Sequence, residues 1–385
     1  MCKCKIGIRN NLYYPLMLIV FISSRKIVEI LMSNKSICDY NNGSFTSPLL
    51  IFISQIFAGF ISIYLNNKNK KISPKNSHYL GIELIQNIST IIQPDNQTKI
   101  YVLIIFASFF NYVGVIVRNN IKYFHFENKI RGVQIIFSAL LCYFTIRIKI
   151  YKHQLFSLIV IFIIILFIVI IDLFLNKEML GNSYAYGIFS CSSRAFLDTI
   201  EKYLFEFDYL NPYKVLMLEG LIGCLLLPIL FFFDSTYTDI NTFLSKKEVW
   251  KFVLLIILSL LHLSFSLFKN IFRVLTIKYY SPMTRALAES IIDPFDLIYL
   301  YINNKNNKNE NSNLNDYYYF IIIIALFIIS FLSFVYNDFI VLYCCGLEYN
   351  THLEIQERAI LYENINISMM DLERDPSLKK STIIK

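Results

Sequence analysis

The chain has 385 residues, of which 56% are hydrophobic, 16% are aromatic and only 17% are charged. This composition excludes a soluble domain of the same length, because such a domain needs many polar residues to cover its surface. The net charge of +8 does not indicate a nucleic-acid-binding protein, because the basic residues are scattered between apolar segments.

Ten apolar segments are long enough to cross a bilayer, since about 20 helical residues span its hydrocarbon core. Residues 155–175 alone, with Ile, Phe, Leu and Val throughout, predict a spanning helix. The predicted spans are, in chain order, residues 12–32, 47–65, 100–118, 129–146, 154–175, 181–204, 213–233, 250–270, 276–301 and 318–345. The expected fold is an all-α membrane protein with ten transmembrane helices, and its first partner is the lipid bilayer.

Basic residues predict the orientation of these spans. They are concentrated in four connections that fall on one side if the spans alternate, at residues 1–11, 66–99, 147–153 and 269–278. Short loops rich in Lys and Arg face the cytosol. The N-terminus at 1–11 and the charged tail at 346–385 are therefore both predicted to be cytosolic, although a basic group at 118–131 does not follow the pattern.

The two halves of the predicted bundle resemble each other in outline. Residues 12–175 and 176–345 each contain five spans, and the fourth span of each half begins near an arginine, Arg131 or Arg285. Because five is odd, the second half must enter the membrane in the opposite sense. This is the inverted-repeat plan of many secondary transporters.

Two spans carry stripes of charged residues at helical spacing. An ionised group at the centre of the bilayer costs at least about 2.5–3.5 kcal/mol on insertion scales, so each stripe must face protein, water or a substrate. We expect the two stripes to form the walls of a cavity. The sixth span contributes Arg194, Asp198, Glu201 and Lys202, and the ninth contributes Arg285, Glu289, Asp293 and Asp296.

The alternative is that Arg194 with Asp198, and Arg285 with Glu289, form neutralising pairs that only assist insertion. Acidic residues argue against it, because Glu201, Asp293 and Asp296 are left over after such pairing. Glu219 in the seventh span also has only Lys214 nearby. Unpaired intramembrane carboxylates suit proton coupling or cation binding. The arginines, Arg131 among them, suit an anionic substrate.

Glycines and prolines mark further features of the later spans. Gly220 and Gly223 lie on one helix face and predict close packing against another helix. Pro282 predicts the start of the ninth span, and Pro294 predicts a kink within it.

The motifs of enzymes and cofactor-binding proteins are missing from the sequence. It has no phosphate-binding glycine loop, no HExxH and no Gly-x-Ser-x-Gly, so no catalytic residue and no cofactor is predicted. The eight cysteines show no metal-ligand spacing with histidine, so no metal site is predicted either. A small-molecule substrate is the expected ligand, and a homodimer is left open.

Four stretches of the sequence carry a resemblance to a known family. They are RGVQIIFSALLCYFTIRIKIYKHQLFSLIVI from Arg131, EKYLFEFDYLNPYKVLMLEGLIGCLLLPI from Glu201, YYSPMTRALAESIIDPF from Tyr279 and GLEYNTHLEIQERA from Gly346. These stretches resemble the drug/metabolite transporter superfamily, specifically the F-type, nucleotide-sugar-transporter-like branch of solute carrier family 35. The positions that match the family's pattern are Arg131, Glu201, Lys202, Glu219, Gly220, Gly223, Arg285 and Ala286.

The resemblance implies a secondary transporter of a small metabolite in the Golgi, endoplasmic reticulum, lysosome or vacuole. A nucleotide-sugar-like compound or another organic anion is the expected substrate. Two alternatives stay open, an exporter of amino acids, peptides or drug-like cations from an acidic vacuole, and an adaptor without transport activity. A cavity lined by Arg131, Arg285 and Glu289 would favour transport, and an apolar centre would favour the adaptor.

Overall fold

The computed structural model of the chain describes residues 3–6, 13–33, 46–72, 97–119, 129–147, 150–175, 180–231, 249–307, 313–337, 339–343 and 351. The tail predicted at residues 346–385 lies outside the described residues apart from Thr351.

Helices make up almost all of this described part. They are α1 (Tyr13–Ser33), α2 (Thr46–Ile72), α3 (Gln97–Asn119), α4 (Gly132–Thr145), α5 (Lys152–Leu175), α6 (Leu180–Glu206), α7 (Pro212–Leu226), α8 (Pro228–Phe231), α9 (Val249–Tyr279), α10 (Pro282–Ser290), α11 (Asp293–Asn307) and α12 (Asn313–Tyr336). The exception to the all-α prediction is a short antiparallel ladder between β1 (Lys3–Ile6) and β2 (Ile340–Tyr343), in which Ile6 pairs with Ile340.

Four of the helices are long and apolar enough to cross a membrane. Within the described residues they contain the segments Gln97–Val117, Lys152–Asp172, Trp250–Tyr279 and Tyr317–Tyr336. Along α5, large apolar side chains such as Phe162, Ile163 and Phe167 remain at least half exposed, as expected for contact with lipid. The predicted helical membrane protein is therefore confirmed.

Other helices are shorter or more polar. Ser47–Ile61 and Gly132–Thr145 are apolar but short. The helices α1 and α6 are long, with 21 and 27 residues, but each carries several charged side chains. Most of those side chains are buried, so their charge lowers hydropathy without giving the helix a surface exposed to solvent.

The chain divides into two compact units. One comprises residues 1–10, 150–160 and 331–385, and contains the β1–β2 ladder. The other comprises residues 11–149 and 161–330. In this second unit α1 packs on α9, α2 packs on α7, and α3 and α4 pack on α6.

The structure corrects the predicted boundary between the eighth and ninth spans. Residues 269–278, predicted to be a basic loop, are the last turns of α9, which continues to Tyr279. The next helix, α10, begins at Pro282, where Ser281 Oγ accepts a hydrogen bond from Thr284 N at 3.1 Å. A serine N-cap followed by proline is a favourable helix start.

Three further boundaries differ from the predicted spans. The ninth span is interrupted at residues 291–292, before Pro294, so the expected kink is a break between α10 and α11. The seventh span is divided at Leu227, before Pro228. The tenth span ends at Tyr336 rather than at residue 345, and the chain continues as β2.

Candidate functional site

The charged stripes of α6 and α10 lie against each other. Arg285 Nη1 donates to Asp198 Oδ2 at 2.7 Å, and Arg194 Nη1 donates to Glu289 Oε2 at 3.2 Å. All four side chains are buried. The predicted pair within α10 is present, with Arg285 Nη2 donating to Glu289 Oε1 at 3.1 Å. Arg194, expected to pair with Asp198 on its own helix, forms an ion pair with Glu289 of α10.

Glu289 is contacted by arginines from three parts of the chain. Its carboxylate accepts from Arg194 and Arg285, while its backbone carbonyl accepts from Arg131 Nη1 at 3.4 Å. Arg131 directly precedes α4, is 1% exposed, and also pairs with Asp293 Oδ1 at 2.8 Å. Arg131, before α4, therefore contacts both Asp293 at the start of α11 and Glu289 of α10, and Glu289 in turn binds Arg194 of α6.

The structure places a fourth arginine, Arg273, among the acidic residues. Its Nη1 donates to Glu201 Oε2 at 3.0 Å and its Nη2 donates to Glu219 Oε2 at 3.1 Å. The Nη1 atom also lies 3.8 Å from Asp198 Oδ1. Arg273 was not predicted to be a site residue, because the basic residues around it indicated a loop. The apolar residues at 271–277, which continue the pattern of α9, are the signal that could have identified it.

The acidic residues predicted to be unpaired all have cationic partners. Glu201 and Glu219 pair with Arg273, and Asp293 pairs with Arg131. Asp296 forms an ion pair with Lys26 of α1. These partners are far away in sequence, so the spacing along one helix could not reveal them.

Lys202 has a separate role at the end of α9. Its ammonium group donates to the backbone carbonyls of Lys278 and Tyr280, at 3.1 and 3.0 Å, and pairs with Glu206 at 2.7 Å. A cation at these carbonyls stabilises a helix C-terminus. Lys202 therefore fixes the junction between α9 and α10.

A cavity of about 50 Å³ lies beside Arg194, Arg273 and Arg285. Three neutral amides line it, Gln55, Asn111 and Asn270, and Asn111 Nδ2 donates to Gln55 Oε1 at 3.0 Å. The charged side chains among the described residues that line it are all cationic, namely Arg25, Arg194, Lys269, Arg273 and Arg285.

The acidic partners of these cations do not line the cavity among the described residues. Arg25, for instance, donates to Glu29 at 2.6 and 2.8 Å. Of the three residues expected at the cavity, Arg285 lines it, whereas Arg131 and Glu289 lie in the neighbouring ion pairs. Cationic and amide side chains around one space are suited to a carboxylate or phosphate group.

Glycines allow α2 and α7 to approach closely. A Cβ atom on Gly220 would lie 2.7 Å from the backbone oxygen of Phe52, and one on Gly223 would lie 2.4 Å from the Phe52 ring. Gly59 of α2, which was not among the predicted packing residues, has the same relation to Met217, at 2.4 Å. These glycines bring Gln55 of α2 to the cavity.

A second buried polar cluster joins four segments of the chain. Asp172 of α5 accepts from the hydroxyls of Tyr184 and Tyr318, which belong to α6 and α12. Lys129, which precedes α4, lies 3.3 Å from Asp172 and donates to the Tyr318 hydroxyl at 2.5 Å. Asp172 is fully buried. None of these four residues was predicted to be a site residue, because their partners lie on other segments of the chain.

The described residues contain no group of three or more His, Cys, Asp and Glu side chains arranged to hold a metal ion. Comparison of the chain with protein-family models and with curated proteins finds no match.

Proposed function

We propose that this chain is a secondary transporter that carries a small anionic metabolite across a membrane by alternating access. The cation-lined cavity is the observation on which the proposal depends. Five cationic side chains and three amides around one space provide hydrogen-bond donors for an anion. The cavity of about 50 Å³ has room for only a few water molecules, so a metabolite can enter only after helices have moved apart.

The proposed fold has ten spans. Each predicted span has a helical counterpart in the same order, with α7 and α8 forming the seventh span and α10 and α11 forming the ninth. Breaks of this kind at membrane depth are frequent around the binding sites of transporters. The proposal includes the two inverted five-helix repeats, an endomembrane location and membership of the drug/metabolite transporter superfamily, which the motifs described above support.

The charge of the cavity bears on the alternatives. An exporter of cations should present carboxylates to its substrate, whereas the charged residues that line this cavity among the described ones are basic. An adaptor without transport activity needs no buried ion pairs at the centre of its helices. This chain buries four such residues, Arg194, Asp198, Arg285 and Glu289. Their burial costs desolvation free energy, and a purely structural role gives no reason for that cost.

Uptake into proteoliposomes tests the proposal. The panel contains inorganic phosphate, malate, UDP-glucose, glutamate and tetraethylammonium, with wild-type protein and with Arg285→Ala. We expect saturable uptake of at least one anion, at least tenfold lower in Arg285→Ala. Lys152→Ala, which removes an exposed cation at the start of α5, is the matched control and should transport normally. Uptake of tetraethylammonium alone, or of nothing by well-folded protein, would contradict the proposal.

A further inference from the structure

Two glutamates, Glu201 and Glu219, share the guanidinium group of Arg273. Glu201 of α6 and Glu219 of α7 are both fully buried, and each accepts a hydrogen bond from Arg273, at 3.0 and 3.1 Å. Among the described residues, Arg273 is the one cation that forms an ion pair with either of them. A single positive charge therefore faces two carboxyl groups.

One oxygen of each carboxyl group has no donor with hydrogen-bond geometry among the described residues. Glu201 Oε1 and Glu219 Oε1 are buried and receive no hydrogen bond from any described residue, although Glu201 Oε1 lies 2.7 Å from Arg273 Nη2. The two carboxyl groups lie close together, because Glu201 Oε1 and Glu219 Oε2 are 2.7 and 3.1 Å from the same atom, Arg273 Nη2. Because an ionised carboxylate can only accept, a bond between them requires that one carries a proton.

The charges of the connected network lead to the same requirement. Arg194, Arg273 and Arg285 are joined by ion pairs to four acidic residues, namely Asp198, Glu201, Glu219 and Glu289. Asp198 and Glu289 already have Arg285 and Arg194, so the surplus negative charge falls on the pair of glutamates. An uncompensated buried charge is strongly unfavourable, and one bound proton removes it.

Among the described residues, no cation other than Arg273 forms an ion pair with the two glutamates. Beyond Arg273, the ionisable residues connected to the pair are Asp198, which lies 3.8 Å from Arg273 Nη1, and Arg285, which pairs with Asp198. Lys269, one turn before Arg273 on α9, faces the cavity. The helices packed on α6 and α7 contribute neutral side chains nearby, with Gln55 from α2, Asn111 from α3 and Gln134 from α4.

We propose that Glu201 and Glu219 share one proton and form a coupling site, so that a proton is carried in the same direction as the anion. The proposal rests on the transport function proposed above. Arg273 connects the two sites, because it lines the cavity and also holds both glutamates. An anion in the cavity attracts this guanidinium, and the glutamates then retain their proton more firmly. By thermodynamic reciprocity, loss of the proton strengthens the hold of Arg273 on the carboxylates and weakens anion binding.

Infrared spectroscopy tests the shared proton without any substrate. We expect wild-type protein near neutral pH to show the C=O stretching band of a buried, protonated carboxylic acid. Both Glu201→Gln and Glu219→Gln should lose this band, because Arg273 alone neutralises the one glutamate that remains. Glu206→Gln, which changes the partly exposed glutamate next on α6, should keep it. A band that survives in both variants, or that only one of them loses, would contradict a shared proton.

Proteoliposomes loaded with a pH-sensitive dye test the coupling. Uptake of phosphate, malate or UDP-glucose by wild-type protein should acidify the lumen, whereas Glu219→Gln should exchange the same anion without acidification. Anion uptake by wild-type protein without acidification overturns the coupling and leaves the transport function intact. Absence of uptake across the panel overturns the transport function, while the infrared result still decides whether the proton is shared. If neither glutamine variant folds, a wild-type spectrum without the band is sufficient to reject the proposal.

Discussion

Arg285 of α10 donates to Asp198 of α6 at a distance of 2.7 Å, and both side chains are buried. Asp198 also accepts from Gln134 Nε2 at 3.2 Å, so three helices meet at this carboxylate. The contact joins two stripes of charge that lie far apart in the sequence, since 87 positions separate the two residues.

Replacing only one residue of the Arg285–Asp198 pair should lower the free energy of unfolding more than replacing both. Arg285→Met leaves the Asp198 carboxylate without its closest cation, and we expect a loss of about 3–5 kcal/mol in the free energy of unfolding. Asp198→Leu combined with Arg285→Met should recover part of this loss, with a coupling energy of about 1–3 kcal/mol. Denaturant unfolding in detergent measures the cycle. Strictly additive effects would show that the pair contributes nothing.

Gly220→Ala should destabilise the protein by about 1–3 kcal/mol, because overpacking forces neighbouring groups apart. The new Cβ would lie 2.7 Å from the backbone oxygen of Phe52, which cannot rotate away. Gly114→Ala is the matched control, since its Cβ would lie 3.6 Å from Arg194 Cγ, an ordinary contact distance. Thermal unfolding in detergent should show a lower midpoint for Gly220→Ala and an unchanged or higher midpoint for Gly114→Ala.

Larger residues at Gly114 should close the cavity. Gly114 lines the cavity beside Arg194, so a side chain there would occupy space next to the proposed anion-binding residues. In the series Gly114→Ala, Gly114→Val and Gly114→Leu, we expect anion uptake to fall with side-chain volume, to less than a tenth of the wild-type rate for leucine. Exposed Leu225→Val, which changes volume away from the cavity, serves as the control. Equal uptake across the series would place the transport pathway elsewhere.

The Asp172 cluster should contribute to stability in graded steps. Asp172→Ala leaves Lys129 buried without its carboxylate, and we expect a loss of about 3–5 kcal/mol in the free energy of unfolding. Tyr184→Phe removes one hydroxyl donor and should cost about 0.5–1.5 kcal/mol. Denaturant unfolding of the two variants measures the difference. A Tyr184→Phe variant as unstable as Asp172→Ala would mean that the ion pair is not the dominant interaction.

Residues 3–6 and residues 340–343 should face the same side of the membrane. Strand β1 pairs with β2, which directly follows α12, and two paired strands cannot lie on opposite faces of a bilayer. An epitope tag before residue 3 and one after residue 343 should therefore be digested together or protected together in sealed vesicles. Protection of one tag alone would require an odd number of spans and exclude the ten-helix arrangement.

Hydrophobic length predicted most of the helices, and it was wrong where charge and packing compete with it. The run of apolar residues in α5 could only be a spanning helix, and the structure has one at Lys152–Leu175. The end of α9 was predicted as a loop because Lys269, Arg273 and Lys278 lower the apolar content there. Two of these residues are instead buried, since carboxylates from other helices neutralise Arg273 and the cavity accommodates Lys269.

Helical spacing identified the charged faces but not their partners. Residues at four-residue steps on α6 and α10 had to share a face, and these faces contact each other through Arg194 with Glu289 and Arg285 with Asp198. Pairing across helices depends on tertiary packing, which no periodicity encodes. The sequence therefore could not indicate that Glu219 meets Arg273, or that Asp296 meets Lys26.

Lys202 also has a mechanical consequence. The ammonium group of Lys202, on α6, donates hydrogen bonds to the carbonyls of Lys278 and Tyr280 and so holds the connection between α9 and α10 in place. The same helix, α6, holds α10 one and two turns further along through Asp198 and Arg194. Because α6 and α10 are attached at three points, we expect them to move together when the proposed transporter opens, with the change of direction at the break before Pro294.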